Sequence, residues 1–71
     1  MKTRHQTKLI REGEYAAEVE VDLIENEGDW GPFLSLDDAE KLDRVREALR
    51  RGDVDQASRL GKVFRLLPIS A

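Results

Sequence analysis

Residues 15–23, Tyr-Ala-Ala-Glu-Val-Glu-Val-Asp-Leu, alternate with a period of two. Tyr15, Ala17, Val19, Val21 and Leu23 share one side, and Ala16, Glu18, Glu20 and Asp22 the other. That pattern belongs to a strand with one dry and one wet face. A chain carrying it must supply a second layer to cover the dry face. Here it must do so within 71 residues and without a cysteine. Neither a disulfide nor a Cys-based zinc site can then compensate for a small core.

The covering layer is legible downstream. Leu36, Ala39, Leu42, Val45, Ala48 and Leu49 recur every three to four residues, which is the apolar stripe of a helix. Ser35 is its expected N-cap, with Asp37 and Asp38 in the first turn, where the helix dipole favours negative charge. Ser35-Leu36-Asp37-Asp38 is a short-armed form of the capping box. Arg50 and Arg51 suit the negative C-terminus, and Gly52 is the expected stop. Asp53 then caps a shorter helix presenting Val54, Ala57 and Leu60, and Gly61 ends it. Residues 62–69, Lys-Val-Phe-Arg-Leu-Leu-Pro-Ile, read as a last strand at an edge, closed by Pro68.

Upstream, residues 2–10 are expected to pair with 15–23. Gly13 in a left-handed conformation fits a three-residue hairpin loop. That register opposes Leu9 to Tyr15, Thr7 to Ala17, His5 to Val19 and Thr3 to Val21. On the wet face it opposes Arg4 to Glu20 and Lys2 to Asp22. Loops of two or four residues would instead send Lys8 and Arg4 to the apolar face. The expectation is one α+β domain over residues 1–71, ordered ββααβ. Its three-stranded antiparallel sheet carries a helical hairpin on one face, with residues 15–23 as the central strand.

Charge is segregated. Residues 1–11 total +4, residues 12–40 total −11 and residues 41–71 total +4, a net −3. Basic ends lying beside an acidic middle explain this internally; a bipolar surface that steers a charged partner is the alternative. No apolar run has the length of a signal peptide or a membrane span, so a soluble cytoplasmic protein is expected.

Chemistry-bearing patterns are sparse. His5 is the only histidine, placed by this register on the inner face with no activating partner. Ser35, Ser58 and Ser70 have cap, helix and tail contexts rather than a base beside them. Glu25, Glu27 and Asp29 lack the spacing and closing glutamate of an EF-hand loop. Asp37 and Asp38 are adjacent and diverge by about 100° on a helix. Gly28, Gly31, Gly52 and Gly61 form no phosphate loop. Neither an enzyme, nor a metal site, nor a cofactor is expected.

Binding is the class that remains. The stretch Gly28-Asp29-Trp30-Gly31-Pro32-Phe33 puts large apolar rings into a Gly/Pro loop, where they serve as a plug over the core, a partner contact or a pocket wall. In the last strand, Phe64 and Leu66 share one face, and Val63, Arg65, Leu67 and Ile69 the other, so some apolar groups stay outside. The expected partner-binding set is Trp30, Phe33, Val63, Leu67 and Ile69, serving a protein partner or a homodimer. The alternative is a small nucleic-acid-binding regulator using Arg50, Arg51, Arg59, Lys62 and Arg65 on the basic side of the helical hairpin.

Tyr15-Ala16, Asp38-Ala39 and Ala48-Leu49 fall in a strand, acidic loop and helix arrangement that resembles short bacterial antitoxins of the HicB-like kind. The resemblance covers about half the chain. Residues 28–35 depart from the proline-centred strand of that family, and the DNA-binding domain appended in that family is not expected here. It implies a small partner-neutralising protein and transfers no active residue.

Overall fold

In the computed structural model, which describes residues 2–25 and 31–69, the alternating segment is the middle of an antiparallel sheet. Strand β1 (Lys2–Glu12) pairs along its whole length with β2 (Tyr15–Glu25). The other edge of β2 is shared. Strand β3 (Phe33–Leu34) pairs with its end at Leu23 and Ile24, and β4 (Lys62–Arg65) pairs with its start at residues 15–18. The fold is thus α+β in the expected order, with a two-residue strand added where a loop was expected.

Helices α1 (Leu36–Arg51) and α2 (Val54–Leu60) connect β3 to β4 and cover one face. The buried cluster joins Ala17, Val19 and Val21 of β2 and Ile10 of β1 to Val45, Ala48 and Leu49 of α1 and Ala57 of α2. Alanines at three of these eight positions let the helices sit close to the sheet. The caps are those the sequence announces. Ser35 Oγ accepts from Asp38 N at 3.2 Å, and Asp53 Oδ1 accepts from Gln56 N at 3.1 Å. Gly52 ends α1 at φ 76°, where a left-handed residue is needed.

Between β3 and β4 the edge of β2 has a gap, and α1 reaches one donor in it. Asp38 Oδ2 accepts from the Asp22 backbone N–H at 2.8 Å. A donor that no strand reaches is thereby satisfied by a carboxylate of the helix's first turn, which the dipole also favours.

The hairpin corrects one expectation. Glu12 opposes Tyr15, so the loop is Gly13-Glu14, two residues rather than three. Gly13 does take positive φ, at 60°, as the first central residue of a type II′ pattern demands. The register therefore differs by three residues, an odd number, and every β1 side chain lies on the face opposite to the one expected. Ile10 is buried and Leu9 is exposed. Arg4 and Lys8 do point to the helix side, opposite Leu23 and Val19. The cost is small, because Arg4 is exposed there and pairs with Glu25 at 2.9 Å, while Lys8 is only half-buried. The expected Arg4–Glu20 and Lys2–Asp22 pairs do not form.

Among the described residues, no helix is long and apolar enough to cross a membrane.

Candidate functional site

Only one face of the sheet is covered by helices. The opposite face is where residues gather without a structural layer above them. Its occupants follow from the register: Thr3, His5, Thr7, Leu9 and Arg11 of β1, the even-numbered residues of β2, Phe33 of β3, and Lys62 and Phe64 of β4.

This face has three zones. At one end, Phe33 is exposed and opposes Ile24. In the middle, polar side chains bond across β1 and β2. Thr7 Oγ1 donates to Glu20 Oε1 at 2.7 Å. The His5 ring bridges two carboxylates, with Nε2 2.6 Å from Glu20 and Nδ1 3.1 Å from Asp22. His5 thus has acidic partners and an outward position, the reverse of the sequence expectation, because the register inverts β1. At the other end, Arg11, Ala16 and Phe64 lie in one cross-strand row, and Leu9, Glu18 and Lys62 in the next. Lys62 Nζ stands 5.6 Å from the Phe64 ring centroid, in cation–π range.

The His5 cluster titrates in a defined direction. The hydrogen bond to Asp22 raises the imidazole pKa above its ordinary 6.5, against the desolvation that lowers it, and the charges of Glu20 and Asp22 add to the rise. A raised folded-state value means that the stabilisation is fully present below 6.5 and is lost as pH rises through the folded pKa. An NMR titration of the His5 ring should give a midpoint above 6.5, and Asp22→Asn should move it back down. A midpoint at or below 6.5 in the wild type would show that the bridge does not persist in solution.

The residues expected to bind a partner are divided. Trp30 lies outside the described residues. Phe33 is exposed, but at the far end of the sheet from β4. Val63 opposes Ala17, faces the helices and packs against the core, so it is not a contact residue. Leu67 and Ile69 are exposed just beyond β4. Leu66 N, between them and the strand, donates to Glu14 O at 2.6 Å and holds this segment beside the hairpin turn. Phe64 and Leu66 beside them are also exposed, as is Leu9 across β2 on the uncovered face. The signal for Phe64 and Leu66 was their shared parity; nothing in the sequence decided which parity faced out.

The basic set does not form a single patch. Arg50 is held by Glu47 at 2.9 Å and Glu12 at 3.0 Å; the hydrogen bond it donates to Glu12 and the two carboxylate charges raise its already high pKa. Arg51 lies 3.9 Å from Asp53, and Arg65 lies 3.8 Å from Glu14. Lys62 and Arg65 occupy opposite faces of the sheet. Arg59 is exposed on α2. A cation already facing a carboxylate has less to gain from a phosphate than a solvated one.

Two open grooves are present. One of about 320 Å³ lies between α1 and α2, walled by the stems of Asp43, Arg44, Glu47, Arg51 and Gln56. Another of about 420 Å³ lies where the hairpin turn meets the end of α1, between Glu12, Glu14, Tyr15, Leu49, Arg50 and Arg51. Among the described residues, no cluster of His, Asp and Glu is arranged to hold a metal ion. Comparison of the chain with protein-family models, with curated proteins and with solved structures returns no match.

Proposed function

We propose that this chain is a non-enzymatic protein-interaction module that binds a partner through the β4 end of its uncovered sheet face. The observation that carries this reading is the exposure of Phe64, Leu66, Leu67 and Ile69 in and just after β4, with Leu9 on the same uncovered face as Phe64, in a molecule whose buried apolar core comprises only nine side chains among the described residues. Exposed apolar groups collected in one place mark contact surfaces more often than the same groups scattered singly. Lys62 and Arg11 flank the patch, supplying the polar rim of an interface. The resemblance to antitoxin-like proteins points the same way, towards neutralising a protein partner by covering it.

The test combines solution mass with capture. Leu9→Ser/Leu67→Ser/Ile69→Ser replaces three exposed residues and should leave folding stability within about 0.5 kcal/mol of wild type. The wild type should either sediment as a dimer or retain one protein through purification from its source cells. The triple variant should lose that association by at least about tenfold. A wild type that is monomeric and captures nothing, or a variant that binds as well, refutes the reading.

A further inference from the structure

We infer that the free edge of β1 is a docking site for a second extended chain of acidic character, added to the sheet as another strand. This goes beyond the face-binding reading above and concerns the strand's backbone rather than the apolar patch.

The edge itself is the first observation. β1 has eleven residues, and its pairing with β2 runs through eleven consecutive partners without a bulge. That is roughly 35 Å of strand. It contains no proline and no bulge, two of the devices that blunt an edge; its lysines and arginines, a third, act against pairing with a like-charged strand. Among the described residues no strand pairs with its other side. In a two-residue hairpin the flanking pair, Glu12 and Tyr15, is hydrogen-bonded, so even-numbered residues of β1 bond to β2. On β2, the Asp22 N–H correspondingly points away from β1, to Asp38. The N–H and C=O groups of Thr3, His5, Thr7, Leu9 and Arg11 therefore project from the open edge, a continuous row of donors and acceptors.

Charge selects the occupant. Lys2, Arg4 and Lys8 line the helix-side row of β1, and Arg11 sits on the other face. Only Arg4 has a carboxylate within 4 Å among the described residues. The one acid of the strand, Glu12, is already bonded to Arg50. Two copies of β1 laid side by side would bring these cations together without acids to offset them, which disfavours self-pairing. A strand with carboxylates at alternate positions meets Lys2, Arg4 and Lys8 on one face while its backbone pairs with the odd-numbered residues. Strand addition of this kind takes affinity from the main chain and selectivity from alternate side chains.

The probe is a ten-residue peptide alternating glutamate and threonine, added to the full chain, with residue-resolved amide exchange as the readout. At a peptide concentration about ten times its Kd, the amides of Thr3, His5, Thr7, Leu9 and Arg11 should exchange about tenfold more slowly. The even-numbered amides, already bonded to β2, should not change. Arg4→Glu/Lys8→Glu, both outside the buried core, should weaken binding about tenfold. The same peptide with lysine for glutamate, or with alternate backbone nitrogens methylated, should not bind. Absence of the alternating protection, equal binding of the lysine peptide, protection of the same amides by a second copy without peptide, or equal occupancy of the row by oligothymidylate each overturns the inference. The peptides and the Arg4→Glu/Lys8→Glu variant leave the exposed apolar side chains untouched, and a dimer formed through the β1 edge is told from one formed through the patch by protection of the odd-numbered β1 amides.

Discussion

Leu49→Ala should destabilise the protein by about 3 kcal/mol, within the range for emptying a buried leucine site. Leu49 is 3% exposed and lies where α1 meets the sheet, among Ile10, Val45 and Ala48. The buried cluster has few large side chains to collapse into the space, since Ala17, Ala48 and Ala57 are also part of it. A domain of this length is expected to have only about 4–10 kcal/mol in total, so the variant should be near half-unfolded in mild urea. Leu36 belongs to the same stripe in the sequence but is 74% exposed. Leu36→Ala should therefore cost no more than about 0.5 kcal/mol. Urea midpoints followed by circular dichroism check both, and equal losses for the two variants would contradict the packing.

Gly61→Ala should cost about 2 kcal/mol, as overpacking of a tight contact does. The reason is space rather than backbone strain, because Gly61 has φ −165°, open to any residue. It sits where α2 gives way to β4, with its N–H bonded to Ala57 O at 3.0 Å. A Cβ there would lie 2.7 Å from the Glu18 carbonyl oxygen and 3.0 Å from Val19 Cγ2. The first is backbone of the central strand and cannot swing aside. The control is Gly31→Ala, where an added Cβ meets nothing within 4 Å. Thermal unfolding should separate the two variants clearly; a Gly61→Ala protein as stable as wild type would mean that the helix-to-strand junction is looser than described.

Much of the architecture was legible because several local signals agreed. The alternation at 15–23, the stripe from Leu42 to Leu49 and the caps Ser35, Gly52 and Asp53 all point to one packing, and that consistency marks a foldable sequence. The register of β1 was not legible, for a physical reason. Leu9 and Ile10 are neighbours, so one of them must face out whichever register is chosen. Keeping Arg4 and Lys8 from the helix side favours the other register, yet Arg4 is exposed there and Lys8 only half-buried. The turn decides instead, through glycine at its first central position. Two-residue strands such as β3 are too short to carry a period. The basic residues carry no sign of their neighbours in the sequence, because Glu12, Glu14, Glu47 and Asp53 reach them only through the fold.

The two-residue turn has a consequence for the handedness of the whole molecule. At each chiral Cα, the direction of the carbonyl and the direction of Cβ are coupled. Tyr15 bonds towards β1, so Ala17, Val19 and Val21 do too, and their side chains must rise on one fixed side of the sheet. That side is where the helices settle. Had Gly13-Glu14 been lengthened by a residue with β2 shifted to match, the same apolar set would rise on the mirror-related side, and the helical pair would have to cross to the other side. Chirality at the level of the fold is thus set by one glycine-led reversal, thirteen residues into the chain.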